Sequence, residues 1–353
     1  MFCRFVSIVF QSVAKIELSL GATPTRHESA QSNGSICCMA IPGDEFVQHT
    51  VKAQTVFQGV GLHSGKPVRI VVHPASAETG IWFRRTDVTD RDPMVPALWH
   101  VVEQTPLCTR LVNASGVAVS TVEHLMAALA GCGIQNALID IDAEEVPILD
   151  GSALPFMDGL TRTGLRKLSA PVRAIRVLKP VTVEDGQSRA TLSPSDVMRI
   201  DFHIDFVDAA IGRQDKSLVM NNGTFARELC DSRTFCRQAD VDMMRRNGLG
   251  LGGEPGVNAV VFDGDNVLCP GGLRHADEPV RHKMLDALGD LALAGGPVLG
   301  HYTGIRAGHS MTNALLRKLF ATPGAARMVT CDDTTMANLP GFGLHRGEIP
   351  RVA

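Results

Sequence analysis

The sequence predicts an α+β protein made of two similar α+β units, and two observations lead to this fold class. Short apolar or alternating segments, typical of strands, are mixed with helical segments but lack the strict alternation of a parallel α/β sheet. The helical segment 123–129 also resembles segment 282–288 in the spacing of its apolar residues. Two copies of one unit, packed through these helices, would explain the similarity.

The first unit is predicted to span residues 47–170. It follows residues 1–46, a short apolar start and a polar, glycine-containing stretch, which we expect to be a disordered extension. β-Branched or alternating apolar runs predict strands at 51–57, 68–72, 81–84, 109–113, 117–119 and 137–141. A glycine-rich turn, 59–65, joins the first two strands. Helices are predicted from Ser120 to the Gly131-Cys132-Gly133 turn and over 156–163.

The second unit is predicted to span residues 171–335, because the pattern changes at Ala170-Pro171. Strands are predicted at 174–178, 181–184, 189–192, 199–206, 259–262 and 300–305, and helices at 224–230, 239–247 and 278–294. Residues 336–353 are predicted to form a C-terminal tail.

Composition excludes several classes of protein. The formal net charge is −3 and both signs are spread along the chain, which argues against the basic face that a nucleic-acid-binding protein needs. The nine cysteines are irregularly spaced, which favours reduced thiols over a disulfide framework. No apolar run approaches the ~20 residues that a transmembrane helix needs.

A helical histidine–aspartate pattern is the first candidate site. His282, Asp286 and Asp290 recur every four residues and therefore share one helix face. A histidine and an aspartate one turn apart can bind one metal ion. The alternative is a solvated polar face with an Asp–His hydrogen bond.

The second candidate is the start of the first helix, where Glu123 precedes His124. One interpretation makes His124 a metal ligand and Glu123 the carboxylate that polarises a metal-bound water. The alternative is a capping box, in which Ser120 caps the helix and Glu123 bonds back to its amide. A third candidate is His309, on a glycine-containing turn after the strand 300–305, from which it could reach into a cleft.

Several ordered motifs together resemble the UDP-3-O-acyl-N-acetylglucosamine deacetylases, a zinc-dependent family of lipid A biosynthesis. The resemblance extends from about Gln54 to Lys318. It is carried by Gly59-Val60-Gly61-Leu62-His63-Ser64-Gly65, Leu107-Cys108-Thr109, Ser120-Thr121-Val122-Glu123-His124-Leu125, Pro147-Ile148-Leu149-Asp150-Gly151-Ser152-Ala153, Ser232-Arg233-Thr234-Phe235, Gly248-Leu249-Gly250-Leu251-Gly252-Gly253, the stretch 280–291 and Ala307-Gly308-His309.

The resemblance implies a β-α-α-β sandwich with the active site in the cleft between the two units. It implies one Zn²⁺ per chain, held by His124, His282 and Asp286, with a fourth position left for water. Fe²⁺ is an alternative metal, because this ligand set accepts either ion.

The same resemblance assigns roles in N-acetyl hydrolysis. Glu123 would be the general base, and His309 would stabilise the oxyanion and protonate the leaving amine. Asp290 would orient His309, and Thr234 and Lys283 would donate hydrogen bonds near the oxyanion and substrate.

The implied substrate is UDP-3-O-acyl-N-acetylglucosamine. Asp205, Phe206, Lys283 and Arg306 are implied on the nucleotide side. The acyl chain would lie near Leu62, His63, Cys108, Phe235, Val241, Met244 and Gly250. The expected protein is cytoplasmic and monomeric, with transient association with the inner membrane.

Two other functions stay open from the residues alone. One is a zinc amidohydrolase acting on another nucleotide sugar. The other is a non-catalytic, metal-stabilised binding protein, although structural zinc sites usually have four protein ligands and no fourth is evident here. The HExxH motif of zinc peptidases is absent.

Overall fold

The first half of the chain forms one larger sheet, several short strands and two helices. The computed structural model describes residues 47–105 and 107–351, so the predicted extension 1–46 lies outside the described residues. The strands are β1 (Val47–Val51), β2 (Thr55–Val60), β3 (Pro67–Pro74), β4 (Ile81–Arg85), β5 (Met94–Pro96), β6 (Val102–Glu103), β7 (Arg110–Val112), β8 (Ala118–Ser120) and β9 (Ala137–Ile141). The helices are α1 (Glu123–Gly131) and α2 (Leu154–Thr163), with a 3₁₀ turn at Trp99–Val101.

Five of these strands form the first large sheet, in the order β2-β3-β9-β4-β5. Only the β4–β9 pair is parallel; the other pairs are antiparallel. Strand β2 alternates buried and exposed residues along its first four positions, as expected for a sheet with one face on the core. A three-stranded sheet, β6-β7-β8, leads directly into α1.

The second half forms a seven-stranded sheet and carries most of the helices. Its strands are β10 (Leu165–Pro171), β11 (Arg173–Val177), β12 (Val181–Asp185), β13 (Ser188–Ser193), β14 (Met198–Asp205), β15 (Arg213–Val219), β16 (Phe235–Arg237), β17 (Val260–Asp263), β18 (Asn266–Val267), β19 (Val298–Ile305) and β20 (Ala326–Thr330). Its helices are α3 (Thr224–Glu228), α4 (Gln238–Arg246), α5 (Glu278–Ala292), α6 (His309–Ala321) and α7 (Asp333–Ala337), with a 3₁₀ turn at Arg346–Glu348.

Strand β19 is central to the seven-stranded sheet. It pairs with β13 antiparallel and with β11 and β14 in parallel, while β12, β15 and β20 complete the sheet. Strands β16, β17 and β18 form a small separate sheet beside α4, and β1 pairs with β10. The chain leaves β19 at Ile305 and enters α6 at His309, which brings that histidine to the end of the sheet.

Helices α1 and α5 pack against each other at very short range. A Cβ atom at Gly289 of α5 would lie 2.0 Å from the carbonyl oxygen of Glu123, so only glycine fits there. One continuous hydrophobic core joins α1, α2, α5 and α6 to both large sheets. The predicted α+β class is therefore confirmed, while the domain boundary near residue 170 stays a prediction.

Several local features differ from the sequence prediction. Helix α1 begins at Glu123 rather than Ser120, because Ser120 ends strand β8 and Thr121 has a left-handed φ of 57°. Some elements were not predicted, among them strands β5, β10, β15 and β20 and helix α7. His309 is the first residue of helix α6 rather than part of a loop.

Within residues 47–105 and 107–351, none of the helices combines the length and the hydropathy that spanning a bilayer requires.

Candidate active site

Two helices bring the predicted metal ligands together. His124 is the second residue of α1, and His282 and Asp286 lie one turn apart on α5. One potential ligand atom from each side chain lies within 4.8 Å of the others, and all three residues are buried. Two imidazoles and a carboxylate converging on one point suit a divalent transition metal such as zinc.

The carboxylate of Asp286 supplies a test of whether a metal fits. Its Oδ1 atom lies 3.3 Å from Nε2 of His282 and 3.6 Å from Nε2 of His124. This oxygen is buried, and within the described part of the chain it has no hydrogen-bond partner. A buried polar atom without a partner costs about 1–3 kcal/mol. A metal between these three atoms would satisfy the oxygen, so the donor set fits.

His282 is held in the form that a metal ligand requires. Its Nδ1 atom lies 3.0 Å from the carbonyl oxygen of Ser232 and must donate to it, because a carbonyl only accepts. The lone pair is then on Nε2, which faces Asp286. Burial lowers the pKa of His282 to about 4, so the imidazole is neutral at physiological pH.

Lys283 is paired with the same carboxylate group. Its Nζ atom lies 2.7 Å from Oδ2 of Asp286. Burial acts against the charged forms of both groups, but the neighbouring opposite charges outweigh it. The pKa of Asp286 is therefore held well below its usual range, chiefly by His282 and Lys283, and the pKa of Lys283 is raised by Asp286. Both side chains are ionised at neutral pH.

Glu123 is a buried carboxylate beside the metal ligands. Its Oε2 atom accepts a hydrogen bond from the backbone N–H of Thr109 at 3.1 Å. The capping-box interpretation is wrong, because Val122 occupies the N-cap position of α1 without a side-chain cap. Burial raises the pKa of Glu123; Asp290 and Asp286 add to the rise, and His309 and His124 oppose it. A raised pKa is what a general base working near neutral pH needs.

His309 and Asp290 form a charge-assisted pair. Nδ1 of His309 lies 2.8 Å from Oδ2 of Asp290, while Nε2 lies 3.7 Å from Oε1 of Glu123 and 3.8 Å from Oδ2 of Asp286. Burial acts to lower the pKa of His309, but Asp290, Glu123 and Asp286 together raise it to about 9. The imidazole is therefore protonated at neutral pH and can donate a proton.

Thr109 is a residue whose role the sequence did not indicate. Its hydroxyl donates to Oδ1 of Asp290 at 2.5 Å, and its backbone N–H donates to Glu123. Thr109, which directly precedes strand β7, therefore holds the carboxylates of both Glu123 and Asp290. Thr109 belongs to the motif Leu107-Cys108-Thr109, but nothing in the spacing of that motif predicted these contacts.

A cavity of about 450 Å³ opens beside these groups. It is lined by the predicted catalytic residues Glu123, Thr234, Lys283 and His309, by the three candidate ligands, and by the predicted substrate residues Leu62, His63, Phe206, Phe235, Val241, Met244 and Gly250. Many lining side chains are apolar, which suits a hydrocarbon chain.

Three predicted substrate residues lie elsewhere. Cys108 is buried next to the lining residue Leu107, and burial raises its thiol pKa to about 11. Arg306 forms an ion pair with Asp205 and a hydrogen bond with Gln187. Cys108, Asp205 and Arg306 are not among the described residues that line the cavity, so their contacts with a substrate stay predictions.

His63 presents two open nitrogen atoms. Both ring nitrogens are buried, and neither has a hydrogen-bond partner among the described residues. Burial lowers the pKa of this histidine, so the ring is neutral at physiological pH. The loop is held by Glu145, which accepts from the backbone N–H groups of His63 and Ser64 at 2.8 Å each. The backbone at His63 is therefore held in place, and the ring nitrogens are available to a ligand in the cavity.

Comparison with known proteins identifies close relatives. A family model described as LpxC, UDP-3-O-acyl N-acetylglycosamine deacetylase, matches residues 48–321. A UDP-3-O-acyl-N-acetylglucosamine deacetylase from Phenylobacterium zucineum (strain HLK1) is 50% identical over 283 residues, which cover 80% of this chain and 96% of the relative. A protein of the same name from Shewanella frigidimarina (strain NCIMB 400) is 44% identical over 287 residues, covering 81% and 93%.

Proposed function

The chain belongs to the UDP-3-O-acyl N-acetylglycosamine deacetylase family, and from this premise we propose how it works as a zinc-dependent enzyme of lipid A biosynthesis. Members of this family are N-deacetylases. The substrate proposed here is UDP-3-O-acyl-N-acetylglucosamine, and the products are UDP-3-O-acyl-glucosamine and acetate.

His124, His282 and Asp286 would hold one Zn²⁺, or Fe²⁺ in its place. The observation that carries this assignment is the convergence of three buried ligand atoms, one of which, Oδ1 of Asp286, has no hydrogen-bond partner within the described residues. A bound zinc supplies a Lewis acid that polarises the amide carbonyl and brings the pKa of water towards neutrality.

Glu123 and His309 would divide the proton transfers between them. Glu123, whose pKa is raised by burial, accepts the proton of the attacking water at its carboxylate. His309 is protonated at neutral pH, so its Nε2–H stabilises the oxyanion and then passes a proton to the departing amine nitrogen. Both atoms face the same position, because Oε1 of Glu123 lies 3.7 Å from Nε2 of His309.

Asp290 and Thr109 would hold these two groups in place. Asp290 accepts from Nδ1–H of His309, which fixes the ring orientation and keeps the proton to be transferred on Nε2. Thr109 bonds to both Asp290 and Glu123. Thr234 and Lys283 line the cavity and would donate to the substrate near the reacting carbonyl.

The substrate's two ends would use different parts of the surface. The 3-O-acyl chain would occupy the apolar cavity along Leu62, Phe235, Val241 and Gly250. Cys108 would lie nearby. The open nitrogens of His63 would bond to the sugar. Phe206, Asp205 and Arg306 would bind the nucleotide, with Phe206 stacking on the uracil ring. We further propose a monomeric, cytoplasmic enzyme that associates transiently with the inner membrane to release its acylated product.

Acetate release from defined substrates tests this function. We expect activity on UDP-3-O-acyl-N-acetylglucosamine to exceed activity on UDP-N-acetylglucosamine by a large factor, because only the former fills the apolar cavity. A chelator should abolish activity, and added Zn²⁺ should restore it. Equal rates on both substrates would point to a different nucleotide sugar, and activity unaffected by chelation would reject the metal mechanism.

A further inference from the structure

The peptide bond between Ser232 and Arg233 is held at both ends by helix α5. Its carbonyl oxygen accepts from Nδ1 of His282 at 3.0 Å. Its N–H donates to Oε1 of Glu278, also at 3.0 Å. Glu278 and His282 are four residues apart and lie on the same face of the helix. The side chains of Glu278 and His282 therefore hydrogen-bond to the two polar groups of a single peptide.

Glu278 uses both carboxylate oxygens in this contact. It is 1% exposed. Besides the Arg233 N–H, Oε1 accepts from Nε of Arg233 at 2.8 Å. Oε2 accepts from Nη2 of Arg233 at 3.0 Å and from the backbone N–H of Arg274 at 2.7 Å. Burial acts to raise the pKa of Glu278, but these donors outweigh it and the pKa is lowered, so the group is ionised at neutral pH.

The same carboxylate joins two loops to α5. Arg233 also donates to the carbonyl oxygen of Gly272 at 2.9 Å, and Arg274 donates to that of Asp231 at 2.7 Å. Nε2 of His275 lies 2.8 Å from Oδ1 of Asp231. Glu278 is therefore one of the anchors of the loop that carries the Ser232 carbonyl, alongside the Asp231–His275 contact.

We propose that Glu278 is a positioning residue for the metal centre. By holding the N–H of the Ser232–Arg233 peptide, it aims the Ser232 carbonyl at Nδ1 of His282 and so keeps Nε2 directed at the metal. The inference rests on the proposed ligand set. Loss of an outer partner of a histidine ligand typically weakens metal binding 10- to 100-fold.

Glu278→Gln is the variant that removes this function with the least change in shape. All four groups around the carboxylate are N–H donors, two on each oxygen. In either orientation of the glutamine amide, its NH₂ group therefore faces two donors and cannot accept from them. Glu278→Asp is a second variant; it keeps the charge, but its shorter side chain cannot reach both the peptide N–H and Arg274.

Asp277→Asn is the matched control. Asp277 precedes Glu278 at the same end of α5 and also binds an arginine, but its hydrogen bonds go to Arg281 and Lys216 rather than to the Ser232 loop. The substitution removes one negative charge from the residue directly before Glu278. It therefore separates loss of charge from loss of the peptide contact.

The readout is metal affinity in the intact protein, measured for Zn²⁺ by chelator competition, together with the absorption spectrum of the Co²⁺-loaded protein. We expect Glu278→Gln to weaken Zn²⁺ binding 10- to 100-fold and to change the Co²⁺ spectrum. Glu278→Asp should weaken binding less, and Asp277→Asn should match the wild type in both measurements.

The outcomes separate this inference from the proposed function. A wild type that binds no zinc would overturn the metal site itself. If the wild type binds zinc, and Glu278→Gln binds it as tightly as the control Asp277→Asn does, the positioning role is wrong while the metal site stands. If Glu278→Gln does not fold, Glu278→Asp decides: zinc affinity and a Co²⁺ spectrum equal to those of the wild type would overturn the proposal.

Discussion

Oε1 of Glu123 and Nε2 of His309 face each other at 3.7 Å, and each group belongs to a different half of the chain. Glu123 begins helix α1, and His309 begins helix α6. The carboxylate has a pKa raised by burial, and the imidazole has a pKa of about 9. A proton acceptor and a proton donor are thus directed at one position beside the candidate metal ligands.

The pH dependence of activity should report the His309–Asp290 pair. Activity requires protonated His309, so kcat/KM should fall as the pH rises through about 9, the pKa of His309. Asp290 is the group that raises the pKa of His309 most, so in Asp290→Asn the basic limb of the pH profile should move to lower pH. We would measure kcat/KM from pH 6 to pH 10 for both proteins. An unchanged basic limb in Asp290→Asn would reject the pairing as the source of the raised pKa.

Gly289→Ala should disturb the contact between α1 and α5. The added Cβ would lie 2.0 Å from the carbonyl oxygen of Glu123, and the helices must separate to accept it. Overpacking of this kind costs about 1–3 kcal/mol of unfolding free energy, and zinc affinity should also fall because the ligands lie on both helices. Urea unfolding and zinc titration measure the two effects.

Gly347→Ala serves as the control for that substitution, because nothing lies within 4 Å of a Cβ at this position. It should leave both stability and zinc affinity unchanged. If Gly289→Ala behaved like Gly347→Ala, the close approach of the two helices would not constrain the site.

The Glu278 carboxylate should also give a pH-dependent contribution to stability. Its folded-state pKa lies below the ordinary value of 4.5, so the contribution is full above pH 4.5 and disappears as the pH falls through the folded-state pKa. Glu278→Gln should therefore be less stable than the wild type at pH 7, and the difference should narrow below pH 4.5. Urea unfolding of the metal-free proteins from pH 7 to pH 3 tests this. A difference independent of pH would show that ionisation of Glu278 contributes nothing.

The elements that sequence predicted well are those whose own apolar pattern determines them. Strand β9, for example, alternates buried and partly buried residues along its whole length. Strand β15 could not be found in this way, because none of its residues is buried and its conformation depends on pairing with β14. Helix α6 was missed for another reason: Gly308 is typical of a loop, although Leu315, Leu316 and Leu319 are spaced as on a helix.

The candidate site likewise contains residues that the sequence predicted and contacts that only the tertiary structure reveals. His282 and Asp286 were candidates because one helix turn separates them. His124 and His309 were also candidates from the sequence, and the resemblance favoured the functional interpretation of both. The contacts of Thr109 with Glu123 and Asp290 were not predictable, because they join segments 14 and 181 residues apart. The hydrogen bond from the Ser232–Arg233 peptide to Glu278 was likewise not predictable, because Arg233 and Glu278 are 45 residues apart in the sequence.

The most direct test of the central claim is to measure bound zinc and acetate release together in the wild type, Glu123→Ala and His282→Ala. We predict about one zinc per wild-type chain, in keeping with a single three-ligand catalytic site. Glu123→Ala should retain zinc and lose activity by roughly 10²–10⁴-fold, the usual contribution of a general base. His282→Ala should lose both zinc and activity. A Glu123→Ala protein that stayed fully active, or a His282→Ala protein that bound zinc as tightly as the wild type, would contradict the account.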